Sequence, residues 1–353
     1  MPKIRLMLVD DSLFFRTFLT QRIGKEPTFD IVGSFGDPVE AMGQVQSLRP
    51  DVLIVDMEMP KMRGNEFIRK VLPRHPNVKA LVISAISGNV FDAMQAGAID
   101  FIAKPGSRSG FDETQFVQEI IQKIKVAAIA TTHTASDFAA AKPAAPTRPG
   151  VAPPSRITSL SGVSSKSIIA IGASTGGTEA ILEVIKNFPA QSPGVVIVQH
   201  MPPVFTKMYA ERCDRICKMS VKEAKNGDRV TRGTILIAPG GEQQMYLRSD
   251  SQGYYVYLAG GAKVSGHCPS VDVLFESVAS VAGRNAVGVI LTGMGADGAK
   301  GLLAMKRAGA HTIGQDEESC VVYGMPMEAK KMGATSEQLS LGSISDAVLR
   351  KFR

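Results

Sequence analysis

The sequence predicts two α/β domains, each a parallel sheet covered by helices on both faces, joined by a flexible linker. Three observations predict this. Apolar, β-branched runs alternate with helix-like stretches over residues 1–125, and the same alternation resumes at residue 167. Between them, over residues 126–166, the chain turns Ala-, Thr-, Ser- and Pro-rich and loses apolar periodicity. A chain of 353 residues is long enough for two separate cores.

In the first domain strands are expected at 4–9, 31–35, 52–55, 80–84 and 101–102. Helices are expected from Ser12, from Pro38, near 66–71, as a short piece near 90–95, and from Glu113. In the second domain strands are expected at 168–171, 195–198, 234–238, 254–258 and 287–291, with helices at 178–186, 205–217, 270–281 and 298–308. Together they give a second, mostly parallel, doubly wound sheet.

Composition narrows the function classes. Hydrophobic residues make up 44% and charged residues 21%, as in ordinary globular chains. No apolar run approaches the ~20 residues of a membrane span, and the first residues lack a secretory signal, so a cytoplasmic protein without membrane insertion is expected. The net charge of +7 is not gathered into a basic arm, and Trp is absent, which argues against a nucleic-acid partner. Cys213, Cys217, Cys268 and Cys320 lack zinc-site spacing and are expected to be reduced structural thiols.

The segment Ile168-Ile169-Ala170-Ile171-Gly172-Ala173-Ser174-Thr175-Gly176-Gly177 places a serine in a Gly-x-Ser-x-Gly turn between a strand and a helix. That is the context of a nucleophile elbow, where the backbone N–H groups opening the next helix face a developing oxyanion. A glycine-rich dinucleotide loop is the competing reading. It requires a second glycine where Ser174 stands and an acidic residue closing the next strand. That strand instead ends in Gln199-His200 and delivers an imidazole.

Ser174 as nucleophile and His200 as base require a carboxylate to orient the imidazole. Three were weighed. Asp297 follows the strand at 287–291 in another glycine-rich strand end, Asp272 lies within a helix, and Asp316 sits beside Glu317 and Glu318. Asp297 is favoured. Of the other histidines, His267 precedes Pro269 in a loop suited to substrate, and His311 lies in an apolar run and reads as structural.

In the first domain Asp10 and Asp11 close the first strand, Asp56 the third and Ser84 the fourth, and Lys104 follows the fifth. In a parallel open sheet the carboxyl ends of the strands meet at one crevice. Clustered carboxylates there repel unless a cation intervenes, and such hard oxygen ligands suit Mg²⁺.

With these residues in that order, residues 1–125 resemble a two-component receiver domain, a flavodoxin-like fold with a five-stranded parallel sheet. The resemblance implies that Asp56 accepts a phosphoryl group from a histidine kinase. It also implies that Asp11, Asp56 and the Glu58 carbonyl hold Mg²⁺, while Asp10 acts through water or hydrogen bonds. Lys104 neutralises the new phosphate, Ser84 hydrogen-bonds it and Phe101 repositions. The stretch between Ser84 and Gly97 is a few residues short for this family, which leaves the existence of the fourth helix open.

Residues 167–353 resemble the catalytic domain of the CheB family of chemotaxis methylesterases. The matching stretches are IGASTGG, VIVQHMPPVFT, VKEAKNGD, ILIAPGG, PSVDVLFESV, LTGMGADGAKGLLAMKRAGA and QDEESCVVYGMPMEA. The resemblance makes Ser174 nucleophile, His200 base and Asp297 orienting acid, with Thr175, Gly176 and Met294 in the oxyanion and substrate loops. It departs at Cys268, where a basic residue is expected, and at Gln243-Gln244, where a histidine is usual. It implies hydrolysis of glutamate γ-methyl esters on chemoreceptors, deamidation of receptor glutamines, and no cofactor for the esterase. It further implies that phosphorylation by the kinase CheA relieves a block imposed by the receiver. The alternative is a receiver joined to a nucleotide-binding or protein-binding output domain without esterase activity.

Overall fold

The structure, a computed structural model, describes residues 2–85, 90–105, 112–131, 164 and 166–352. The chain divides into two compact units, Met1–Ala135 and Ser136–Arg353. The linker expected at 126–166 lies mostly outside the described residues.

The first unit runs β1 (Ile4–Val9), α1 (Leu13–Ile23), β2 (Phe29–Phe35), α2 (Pro38–Leu48), β3 (Val52–Asp56), α3 (Gly64–Val71), β4 (Lys79–Ser84), α4 (Val90–Gln95), β5 (Asp100–Ala103) and α5 (Glu113–Ile129). Its five strands pair in parallel in the order β2-β1-β3-β4-β5. The central strand β3 is buried along its whole length because helices cover both faces, which is why it is a continuous apolar run ending in Asp56. Ser12, Asp37 and Asp112 cap α1, α2 and α5 with side-chain acceptors. A fourth helix is present, with six residues, Val90–Gln95, among the described ones. The last helix continues to Ile129, past the residue 125 at which the sequence reading closed the domain.

The second unit runs β6 (Ile168–Ala173), α6 (Gly177–Ile185), β7 (Gly194–Gln199), α7 (Phe205–Ile216), β8 (Ser220–Glu223), β9 (Thr234–Ile237), β10 (Gln243–Asp250), β11 (Gly253–Gly260), α8 (Val271–Ala282), β12 (Ala286–Ile290), α9 (Ala299–Arg307), β13 (His311–Gln315), α10 (Met325–Lys331), β14 (Glu337–Leu339) and α11 (Leu341–Arg350). Seven strands form one sheet in the order β14-β13-β12-β6-β7-β9-β8. Every pair in it is parallel.

From β6 the chain builds outward through β7 on one side and later returns to build outward through β12 on the other. The order reverses between β6 and β12, and such a reversal opens a crevice at the carboxyl ends of the strands. Ser174 leaves β6 on one lip, and Thr292-Gly293 follow β12 on the other.

The expected strand at 254–258 does not join this sheet. It is part of β11, which pairs antiparallel with β10 in a separate two-stranded sheet. The physical reason is its pattern. Tyr254, Val256 and Leu258 face the core while Tyr255 and Tyr257 stay partly exposed, the alternation of a strand with one buried face. The expected set also lacked β8, β13 and β14 of the main sheet, β10 of the hairpin, and the helices α10 and α11. No helix among the described residues is long and apolar enough to cross a membrane.

Candidate active site

Ser174 follows directly on β6, and its amide donates to Thr292 O at 3.0 Å, which ties the turn to the strand across the crevice. Gly177 N donates back to Ser174 O at 2.7 Å and closes the turn. Gly176 caps α6 at φ +76°, a left-handed conformation that glycine adopts without steric cost. A Cβ placed at Gly293 would lie 2.7 Å from Ser174 Cβ, so only glycine lets the β12 loop approach the serine this closely. Gln199, buried at the end of β7, donates to Ser174 O at 2.9 Å and to His200 O at 3.1 Å, fixing the backbones of both residues.

His200 N donates to Ala173 O at 3.1 Å, which sets the imidazole one strand away from the serine. Its Nε2 lies 2.8 Å from Asp297 Oδ2. Asp297 is buried and sits at the N-terminus of α8, where it accepts from Ser270 Oγ at 2.7 Å, Val271 N at 2.7 Å and Asp272 N at 3.1 Å. Burial alone would push its carboxyl up. His200, Ser270 and the Val271 amide prevail and hold it below the ordinary carboxylate range. A carboxylate at a helix N-terminus is also favoured by the helix dipole. The other imidazole nitrogen, Nδ1 of His200, is buried without a hydrogen-bond partner. One face of the ring is covered by His267, whose ring centroid stacks 3.6 Å away at 9°.

The two carboxylates set aside in favour of Asp297 are occupied elsewhere. Asp272 Oδ1 accepts from Gly301 N at 2.8 Å and so ties α8 to α9. Burial, opposed by that amide and reinforced by the Asp297 charge, pushes its carboxyl up to about 6. Asp316 accepts from Ser319 N and Oγ. His311 pairs with Glu337 at 2.7 Å. Met294 projects from the β12 loop with 41% exposure, and Thr175 is buried behind Ser174 with its carbonyl held by Thr292 Oγ1 at 3.0 Å.

Two residues that sequence reasoning passed over support the site. Ser270 caps α8 and bonds Asp297; a serine directly before an apolar helical run signals the cap, but not the bond to Asp297. Gln244, noted only as a departure from the family pattern, is buried. It accepts from Ser270 N at 2.7 Å and donates to Ala262 O at 3.1 Å, pinning the loop that leads to α8.

The first unit gathers its own cluster. Lys104 Nζ lies 2.8 Å from Asp10 Oδ2 and 2.7 Å from Asp56 Oδ2. Asp10, Asp11 and Asp56 each offer a carboxylate oxygen within 4.8 Å of the others, a donor set that fits a hard divalent cation. Burial, against the pull of Lys104, leaves the Asp56 carboxyl above its ordinary range. Ser84 is buried and donates to Ala85 O at 2.8 Å, and Phe101 packs edge-on against Phe91. Glu58 follows β3 with its side chain exposed.

Comparison with known proteins accounts for both halves. The family model described as CheB methylesterase matches residues 169–348, and that described as response regulator receiver domain matches residues 6–116. Protein-glutamate methylesterase/protein-glutamine glutaminase 2 of Syntrophomonas wolfei is 48% identical over 348 residues, covering 99% of this chain and 97% of that protein. Protein-glutamate methylesterase/protein-glutamine glutaminase of Salmonella typhimurium is 45% identical over 357 residues, covering 99% and 97%. The crystal structure of the Thermotoga maritima CheB methylesterase catalytic domain superposes with a TM-score of 0.51 at 36% identity, covering 52% of this chain and 97% of that one. These likenesses do not favour the reading of a non-catalytic output domain. The chain belongs to the CheB methylesterase family, with a response regulator receiver domain preceding its catalytic domain.

Proposed function

We propose that Ser174, His200 and Asp297 carry out the methylesterase reaction, with chemoreceptor glutamate γ-methyl esters as substrate, in the cytoplasm. The observation that supports it most is the His200–Asp297 pair held one strand from Ser174 at the point where the strand order reverses. Asp297 fixes the proton on Nε2, which leaves Nδ1 as the basic nitrogen. Ser174 Oγ attacks the ester carbonyl as Nδ1 takes the hydroxyl proton. The tetrahedral intermediate collapses when that proton passes to the departing methoxide, which leaves as methanol. Water, deprotonated by the same nitrogen, then attacks the acyl-enzyme; the ester bond to Ser174 Oγ breaks, Oγ takes the proton back from the imidazolium, and a glutamate carboxylate is released. With a receptor glutamine the leaving group is ammonia, and the same steps deamidate it.

Thr175 and Gly176, at the start of α6, and Met294 in the facing loop are assigned to the oxyanion and substrate pocket. A helix N-terminus supplies N–H groups and positive potential where negative charge develops. The esterase steps use this chain's own side chains and need no cofactor.

In the receiver, Asp56 is assigned as phosphoryl acceptor, with CheA as the donating kinase. Asp11, Asp56 and the Glu58 carbonyl would hold Mg²⁺, which supplies charge neutralisation during phosphoryl transfer. Lys104, which pairs with both Asp10 and Asp56, is assigned together with Asp10 to position the Asp56 oxygens, Ser84 to hydrogen-bond the phosphate, and Phe101 as the aromatic expected to shift.

The decisive experiment incubates the protein with methyl-labelled receptor and counts released methanol. Ser174→Ala is expected to reduce release to background without unfolding the domain. Near-wild-type release from that variant would remove Ser174 from the mechanism.

A further inference from the structure

We propose that His267 is a positioning residue of the esterase: its ring fixes the plane of the His200 imidazole and so aims Nδ1 at the nucleophile. This rests on the reading of Ser174 and His200 as nucleophile and base.

The inference begins with a turn. Val264 and His267 exchange two backbone hydrogen bonds, Val264 N to His267 O at 3.0 Å and His267 N to Val264 O at 2.9 Å. Between them Ser265 and Gly266 have φ of +53° and +86°. Two successive positive φ values inside a closed four-residue loop make a tight turn of the hairpin type, which holds its flanking residues in fixed register. The turn is also anchored from below. Buried Gln244 Nε2 donates to Ala262 O at 3.1 Å and to His267 O at 3.4 Å, while its Oε1 accepts from Ser270 N at 2.7 Å. His267 is therefore carried on a braced loop rather than a loose one. The same glutamine braces the residue that bonds Asp297.

From that loop the His267 ring lies 3.6 Å from the His200 ring at 9°, face to face. Asp297 restrains His200 only at one in-plane point, Nε2. Held at Cγ by its own side chain and at Nε2 by Asp297, the ring can still tilt about the line between those two points. A flat partner against its face removes this freedom and fixes the plane in which Nδ1, buried without a hydrogen-bond partner, would meet the Ser174 hydroxyl. The covered face also excludes water from the imidazole.

The role is geometric, so it is carried by flatness and placement rather than by the acid–base chemistry of His267 itself. His267→Ala is expected to lower kcat for methanol release by about 100-fold, the scale of a misplaced catalytic group, with KM within about two-fold of wild type. His267→Phe, which keeps a flat ring, is expected to restore kcat to within about three-fold of wild type. Labelling of Ser174 by a small organophosphate, which reports base activation without receptor binding, is expected to follow the same order. Thermal unfolding is measured on each variant. If His267→Ala does not fold, His267→Phe alone decides, and the proposal requires its kcat to stay within that three-fold range.

Wild-type kcat in a folded His267→Ala protein overturns the proposal. So does a loss confined to KM, which would make His267 a substrate contact, or a folded His267→Phe protein as slow as His267→Ala. Ser174→Ala run in parallel separates these results from failure of the underlying reading. If that variant still releases methanol, the nucleophile assignment has failed whatever the His267 variants do.

Discussion

Ser270 Oγ donates to Asp297 Oδ1 at 2.7 Å, so the residue that caps α8 also orients the carboxylate that holds the imidazole. The start of α8 and the proposed catalytic geometry are one construction. The first turn of α8 would otherwise leave its N–H groups unsatisfied, and Asp297 accepts two of them, from Val271 and Asp272. Val271 also packs where a Cβ at Gly172 would be only 2.1 Å away, so the helix start is wedged against β6 just ahead of Ser174.

Removing that hydroxyl should therefore affect stability and rate together. Ser270→Ala is expected to cost about 1–2 kcal/mol of stability through the lost cap and the lost bond to a buried charge. It is also expected to slow methanol release by about 10-fold, since Asp297 keeps its two amide donors but loses its strongest side-chain restraint other than His200. Urea unfolding and receptor demethylation on the same preparations check both. Loss of stability with an unchanged rate would show that the cap and the triad are independent.

The three proposed catalytic residues should not contribute equally. Ser174→Ala and His200→Ala are each expected to reduce methanol release to background, because residues acting as a unit do not add. Asp297→Asn is expected to do less damage, a fall of about 10³–10⁴. An asparagine amide facing Nε2 favours the tautomer with the proton on Nδ1, which disables the base while leaving Ser174 and its surroundings intact. The double variant Asp297→Asn/His200→Ala should be no slower than His200→Ala alone. A clearly slower double variant would mean that Asp297 acts outside His200.

Asp272 makes stability depend on pH in the direction opposite to Asp297. Its folded carboxyl titrates at about 6, against an ordinary value of 3.8. Below that ordinary value both folded and unfolded chains carry the proton and its contribution is fully present. As pH rises from there through about 6, the folded state loses the proton and the contribution is lost. Asp297, with a lowered folded pKa, instead contributes above its ordinary value and loses the contribution as pH falls through the folded one. Wild-type protein is therefore expected to gain stability relative to Asp272→Asn as pH falls from 7 toward 4, read as the difference in urea midpoints. A flat difference across that range would refute the shifted carboxyl.

How much of this was legible depends on the range of each contact. Ser174 and His200 could be read because each is announced by its own strand end, and Asp10, Asp56 and Lys104 because a parallel sheet brings strand ends together by topology. Asp297 was separable from Asp272 and Asp316 by its glycine-rich strand end alone. Ser270 was not legible as a site residue, since its bond to Asp297 spans 27 positions and nothing local to either residue specifies it. The β10–β11 hairpin was misplaced for a related reason. An isolated apolar strand at 254–258 looks the same whether its partner is parallel or antiparallel, and the partner at Gln243–Asp250 is too polar to announce itself.

The acidic cluster of the receiver predicts a metal requirement confined to one half of the protein. Three carboxylates share a crevice in which Lys104 pairs with two of them, so phosphoryl transfer onto Asp56 adds negative charge to an already acidic pocket. Chelation with EDTA is expected to abolish phosphorylation by a small phosphodonor, and Mg²⁺ to restore it. Basal methanol release from unphosphorylated protein is expected to be unchanged by the same treatment. Loss of basal esterase activity on chelation would place a metal in the catalytic half.

Phosphorylation should act on the esterase by redistributing the Lys104 contacts. A phosphorylated Asp56 carries about two negative charges. Lys104, which now bridges Asp10 and Asp56, cannot satisfy the new oxygens without giving up part of that bridge. A change confined to the pocket becomes regulatory if it shifts an equilibrium between restrained and active forms. A 10-fold activation needs a shift of only about 1.4 kcal/mol, within the reach of a few rearranged contacts. The fragment beginning near Ser167 is expected to exceed the unphosphorylated full chain in methanol release, and phosphorylation of the full chain to close most of that gap. Asp56→Asn is expected to stay at the low, unphosphorylated rate in the presence of phosphodonor. Equal specific activity for the fragment, the Asp56→Asn protein and the phosphorylated chain on one receptor preparation would reduce the receiver to a targeting module, because no restraint would then exist for the phosphate to relieve.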